Sequence, residues 1–323
     1  PRLAPLRAQA PARVPGFVVL VGRDTLAVER VDARDGGATL DVDLFLRGAR
    51  QRVGWALAVD PEARARRLVV YQYAPGAGDS ARPVAALQFA FRPDTVVVVG
   101  DGQGTARTTR SIAAPDGTLP WIPPSAALLE RMTRRARWLG VGRPGGPTAP
   151  VELPVLNAAD GRRFAVRASA LAADSVLLDF GDAQLRLAVD ATGVLRGGVA
   201  PGQRMRIVAV PALDAGAGRS VVRYDAPAGA PYVAEAVRIP LPGGVTLGGT
   251  LTRPRGAGAF PVVVTLPGAG PHDRDGAPPL LGDWRPFRAV ADTLARRGIA
   301  VLRVDDRGVG ASEGRPVGAT LHD

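Results

Sequence analysis

From Gly16 to Ile112 apolar and polar residues alternate in short runs punctuated by turn residues, the period-two signature of strands with one wet face. The alternation predicts strands at residues 17–21, 25–31, 39–46, 53–59, 68–73, 84–91 and 95–99. It is clearest in Asp41-Val42-Asp43-Leu44 and in Leu87-Gln88-Phe89-Ala90-Phe91. The intervals leave no room for crossover helices, so the pairing is expected to be antiparallel. One stretch changes period: Leu128, Leu129, Met132, Ala136 and Leu139 recur at helical spacing, with Ser125 placed to cap the helix. Arg131, Arg134, Arg135 and Arg137 are expected to form its solvated face, and Trp121 to pack against it. After a Gly/Pro-rich stretch at 140–150, strands are expected again at 151–156, 163–168, 175–180, 184–189, 194–199 and 205–210. Asp24-Thr25, Asp94-Thr95 and Asp174-Ser175 each open a strand, as turn-closing aspartates do.

The fold class this implies is mixed. Residues 16–210 read as an antiparallel β-barrel or half-barrel of about a dozen strands with one helix on its mouth or open face. Such a shell either encloses a lipid-sized cavity or is filled by its own side chains. Residues 1–15 form a Pro/Ala/Arg tail, and the Ala/Gly/Pro-rich residues 211–231 mark a domain boundary. In residues 232–323 the pattern changes: a hairpin (236–240 and 245–252) precedes the β-branched run 261–266, expected to be a strand buried on both faces. Phe287, Val290, Ala291 and Leu294 then predict a helix over 286–297, stopped by Gly298, and 299–304 is a second apolar strand. Strand, crossover helix and strand make a βαβ unit, whose functional loops belong at the carboxyl ends of its strands.

Composition narrows the chemistry. The net charge of +11 comes from 41 basic residues that are all arginine; lysine is absent and Asn157 is the sole asparagine, a bias read as genome composition. The arginines are scattered and aromatics make up 5%, so no nucleic-acid partner is expected. The absence of cysteine excludes disulfides, thiolate nucleophiles and zinc-thiolate sites. No apolar run reaches the roughly 18 residues of a membrane span. Ala8-Gln9-Ala10 before Pro11-Ala12 has the small-x-small form of a signal-peptidase site, so export is expected and residues 1–15 include a signal-peptide remnant.

Two glycine-rich loops carry the candidate function: Leu266-Pro267-Gly268-Ala269-Gly270-Pro271-His272-Asp273-Arg274-Asp275, and Val304-Asp305-Asp306-Arg307-Gly308-Val309-Gly310-Ala311-Ser312. In this order, and with a helix between them, they resemble the α/β-hydrolase superfamily, in particular its secreted or periplasmic esterase and acyl-peptidase-like serine hydrolases. The resemblance covers residues 232–323, the early part of a hydrolase domain. It implies an oxyanion donor at the backbone N–H of Ala269, with Gly268 and Gly270 shaping the turn; Pro267 stands where the family often has His. It also implies that His272, Asp273, Arg274 and Asp275, with Asp305, Asp306 and Arg307, brace the loops or line the pocket.

The implied activity is hydrolysis of carboxylic esters, thioesters or acyl-peptide bonds. A small acyl or ester substrate is the expected partner, and no cofactor or metal is expected. The family triad runs Ser, then Asp or Glu, then His, all beyond these loops, so the nucleophile is expected to lie past Asp323 and the chain alone to be inactive. Gly310-Ala311-Ser312-Glu313-Gly314 matches Gly-x-Ser-x-Gly letter for letter. It follows a loop rather than a strand end, however, and Pro316 and Gly318 disfavour the helix an elbow must start, so Ser312 is not expected to be the nucleophile. The alternative is a β-rich lipid-binding, acyl-binding or interaction protein carrying a degenerate hydrolase segment.

Overall fold

Strands occupy most of the stretches where the sequence alternates. The computed structural model describes residues 13–46, 51–73, 83, 85–102, 107–214, 223–242, 244–266, 272–276 and 285–314. Two units result, the first formed largely by residues up to Gly218 and the second largely by those from Arg219 onward.

In the first unit the early strands are β1 (Arg13–Val21), β2 (Asp24–Arg34), β3 (Thr39–Leu46), β4 (Gln51–Val59), β5 (Ala65–Gln72), β6 (Ala85–Phe91), β7 (Thr95–Gly102), β8 (Thr108–Ala113) and β9 (Leu119–Trp121). Helix α1 (Ala126–Trp138) follows, and then β10 (Val151–Asn157), β11 (Arg163–Ala172), β12 (Ser175–Asp179), β13 (Gln184–Val189), β14 (Leu195–Ala200) and β15 (Met205–Asp214). They form one 15-stranded sheet in the order β8-β7-β6-β5-β4-β3-β2-β1-β15-β14-β13-β12-β11-β10-β9. β13 shows the principle: Leu185, Leu187 and Val189 are buried while Gln184, Arg186 and Ala188 are exposed. Each such buried Leu or Val contributes about 1.5–3 kcal/mol.

Two features differ from the sequence expectation. Among the described residues the sheet does not close, β8 and β9 standing at its two edges, so the closed-barrel alternative falls and the half-barrel alternative is left. Nor is it wholly antiparallel, because β9 runs parallel to β10. It is nevertheless strongly curled. Helix α1 touches β2 and β9, eight strand spacings apart and roughly 38 Å across a flat sheet. A helix about 10 Å wide reaches both only if the sheet wraps around it. Leu128, Leu129, Met132 and Ala136 are buried in this interior, so the helix and the inward side chains fill the space inside the curl.

Helix α1 begins as expected, with the Ser125 hydroxyl accepting from the Leu128 N–H at 3.2 Å. Its arginine face is not solvated. Arg131, Arg135 and Arg137 are 4%, 8% and 2% exposed, and their guanidinium groups donate to the carbonyls of Gly37, Glu62 and Ala173. Thr133 Oγ1 donates to Gly193 O at 2.6 Å, and Glu130 Oε2 accepts from the Leu195 N–H at 3.1 Å. Polar groups on the helix therefore tie turns from both halves of the sheet to one axis. Gly193 lies so close that a Cβ there would sit 2.6 Å from Arg134 Cα. Trp121 meets Phe180, with ring centroids 5.4 Å apart and the rings tilted at 44°.

The second unit contains β16 (Tyr232–Pro240), β17 (Thr246–Pro254), β18 (Val262–Thr265), α2 (Pro286–Ala295) and β19 (Ala300–Val304). Its sheet order is β16-β17-β19-β18, with β18 and β19 parallel and the other ladders antiparallel. β18 is not buried on both faces: it is the sheet edge, and Val262, Val263 and Val264 are 57%, 39% and 52% exposed.

Candidate functional site

Because β18 and β19 are parallel and adjacent, their carboxyl ends open at the same edge, and the loops that follow them meet there. Gly268, Ala269 and Gly270, the expected oxyanion loop, lie outside the described residues. The remainder of the site does not. The His272 N–H donates to Asp306 Oδ2 at 2.8 Å, and the Asp306 N–H donates back to His272 O at 3.1 Å. His272 Nδ1 stands 3.7 Å from the same carboxylate.

Arg274 and Asp305 form the centre, 4% and 1% exposed. The Arg274 backbone N–H and Nε donate to Asp305 Oδ1 at 2.7 and 3.0 Å, while Nη2 donates to Oδ2 at 2.6 Å. Nη1 reaches Gly249 O at 2.6 Å and Thr250 Oγ1 at 2.9 Å, anchoring the loop to β17. Burial opposes the Arg274 charge, but the hydrogen bonds and negative charge of Asp305 outweigh it and hold the guanidinium above its ordinary pKa. The Ala311 N–H also donates to Asp305 Oδ2, at 2.8 Å. One carboxylate therefore holds both loops. The turn that makes this possible needs glycine at 310, where φ is +56° and a Cβ would lie 2.2 Å from Asp305 Oδ2.

Asp275 forms a second, equally buried centre. It accepts from Arg303 Nη1 and, at 3.2 Å, from Arg285 Nη1, tying the first loop to β19 and to the residue before α2. Burial depresses the Arg303 pKa even though Asp275 faces it. Asp273 Oδ1 accepts from the Asp275 N–H at 3.1 Å, closing a local turn. Arg307 is half-buried, its side chain lying against Gly314.

Ser312 is held by backbone. Its hydroxyl donates to Asp305 O at 2.7 Å and accepts from the Gly248 N–H at 2.9 Å. Among the described residues no Ser-His-Asp triad is evident, and no group of three or more His, Asp or Glu could hold a metal. None of the described helices is long and apolar enough to cross a membrane. Three partners escaped the sequence reading. Arg303 left a signal, a lone charge inside an apolar strand; Arg285 left none, and Tyr224, whose ring lies over the Arg274 guanidinium, sat in a stretch read as a boundary.

No family model matches the chain. Over 61 residues it is 41% identical to esterase EstD of Thermotoga maritima, a match spanning 19% of this chain and 14% of that esterase. Among solved structures, a DUF1089 family protein (PA1994) from Pseudomonas aeruginosa shares 16% identity at a TM-score of 0.35, covering 55% of this chain and 90% of that one. Prolyl oligopeptidase B from Galerina marginata shares 11% identity at a TM-score of 0.23, covering 89% of this chain and 38% of that one. Both TM-scores are too low to establish a shared fold. A β-rich region with one helix is thus followed by β/α segments resembling the start of an α/β-hydrolase fold. The likeness to hydrolases is distant.

Proposed function

We propose that the second unit is the opening part of a serine hydrolase domain acting on carboxylic esters, thioesters or acyl-peptide bonds. In this reading the nucleophile and its triad partners lie outside the 323 residues, and Ala269 supplies a backbone N–H to the oxyanion, with Gly268 and Gly270 keeping Cβ atoms clear of it. The observation that carries the reading is the double clamp of Asp305 and Asp306 on the residues from His272 to Arg274. It brings residues 272–274 and the second loop together at the carboxyl ends of parallel strands, where α/β sheets place their ligands. The 61-residue match to an esterase supports the same chemistry. Among the described residues only β19 pairs with the exposed apolar strand β18, which supports continuation of the sheet beyond it, since an open edge of this kind invites aggregation.

The remaining roles follow from that reading. His272, Asp273, Asp275, Asp306 and Arg307 act as loop braces or pocket walls, residues 16–210 form a preceding domain, and the protein is exported. The direct test is to sequence the coding frame past Asp323, then express the longer product and assay it with short-chain p-nitrophenyl esters and a fluorophosphonate probe. Turnover, with labelling of a serine beyond residue 323, is expected. An immediate stop codon, or a longer product that neither turns over esters nor takes up the probe, would overturn the proposal.

A further inference from the structure

Residues 211–231 read in the sequence as a plain boundary, yet their last described part is fastened to the second unit by side chains of the loops and helix. The Tyr224 ring covers the Arg274 guanidinium, with Cζ 4.2 Å from the ring centroid, and the Tyr224 hydroxyl lies 3.4 Å from Asp273 Oδ2. Arg288 of α2 donates to Arg223 O at 2.7 Å and to Asp225 O at 3.2 Å, one on each side of Tyr224. Arg255 Nε holds Ala230 O at 3.2 Å.

We infer that this segment is a strap, and that Tyr224 is a positioning residue setting the geometry of both candidate loops through Arg274. Four of the five in-plane donors of Arg274 are committed to Asp305, Gly249 and Thr250, and the aromatic ring takes the face of the guanidinium that hydrogen bonds cannot use. A buried cation under an aromatic face is held more tightly than an exposed one. Asp305, which Arg274 fixes, in turn holds the amide of Ala311 in the second loop. The path from the strap to that loop is therefore a chain of direct contacts: Tyr224, Arg274, Asp305, Ala311. Displacing the strap loosens the loops without unfolding the sheet. The positioning is useful for hydrolysis only if the hydrolase reading holds; the coupling does not depend on it.

The test uses the 323-residue chain and hydrogen exchange, which needs no turnover, so it can fail or succeed independently of the hydrolase proposal. Tyr224→Leu keeps apolar bulk but lacks the π-face; Tyr224→Phe keeps the face and lacks the hydroxyl. Exchange at residues 272–276 and 305–313 is expected to rise about tenfold or more in the Leu variant, with β16 and β17 unchanged and the Phe variant like the native chain. Arg288→Gln, which frees the strap without touching Tyr224, is expected to produce the same local pattern and carries the test if the Leu variant does not fold. Native-like exchange in the loops of both Tyr224→Leu and Arg288→Gln, equal acceleration throughout the sheet, or a Phe variant as loose as the Leu variant would overturn the inference.

Discussion

Arg274 and Asp305, 31 positions apart in sequence, share three hydrogen bonds that are shielded from water. The pair closes one candidate loop onto the other, and a buried pair of this kind is far costlier to halve than to replace whole. Arg274→Ala is expected to destabilise the second unit by about 3–5 kcal/mol, because it leaves the Asp305 carboxylate buried with an unmatched charge. Denaturant unfolding followed by hydrogen exchange at residues 232–254 measures this. A loss below about 1 kcal/mol, the range of exposed pairs, would show that the pair is not the brace described here.

Gly310→Ala attacks the same centre from the backbone side. The new Cβ meets Asp305 Oδ2 at 2.2 Å, and φ of +56° disfavours any L side chain. The expected cost is about 2 kcal/mol or more, with faster exchange at Ala311 and Ser312 as the local signature. Native-like stability and exchange would contradict the turn geometry.

In the first unit the buried Glu29 accepts from the Ser125 hydroxyl at 2.5 Å and from the Ala127 N–H at 2.8 Å, at the start of α1. Burial raises its pKa from 4.5 to about 7, against the lowering effect of those hydrogen bonds. The native state therefore holds this proton more tightly than the unfolded chain. Its contribution to stability is fully present below pH 4.5 and is lost as pH rises through about 7, a total of roughly 3 kcal/mol. Thermal unfolding from pH 4.5 to 8 should show that decline, and Glu29→Gln should flatten it. An undiminished slope in the Gln variant would assign the dependence elsewhere.

The helix arginines give a contrast within one element. Arg137, donating to Val141 O at 2.8 Å and Ala173 O at 2.6 Å, leaves the buried Val141 carbonyl unmatched when removed, so Arg137→Met is expected to cost about 1–3 kcal/mol. Arg134, 28% exposed and hydrogen-bonded through Nε to the half-buried Glu130 at 3.0 Å, is expected to cost under about 1 kcal/mol as Ala. Urea unfolding followed by the fluorescence of Trp55, Trp121 and Trp138 separates the two.

How much of this was legible follows from where each signal lies. Strands such as β3 and β13 announced themselves because one face meets the core and the other meets water, which writes burial directly into the alternation. β8 did not, because Thr-Thr-Arg-Ser-Ile-Ala lies at a sheet edge with almost every residue exposed. The burial of Arg131, Arg135 and Arg137 was invisible for a different reason: the carbonyls that satisfy them belong to turns 36 to 94 positions away in sequence. At the candidate site, the two loops were readable as glycine motifs, and the charged residues that unite them were readable by type. Their pairing was not, since which arginine meets which aspartate depends on the parallel register of β18 and β19.

If the second unit opens a serine hydrolase domain, as proposed, Ser312 is a structural serine and the nucleophile lies elsewhere. Its hydroxyl is already committed to Asp305 O and to the Gly248 N–H. Treating the 323-residue chain with a fluorophosphonate probe and mapping any adduct by mass spectrometry tests this most directly. The account predicts no adduct and no ester turnover; an adduct on Ser312, absent from Ser312→Ala, would contradict it.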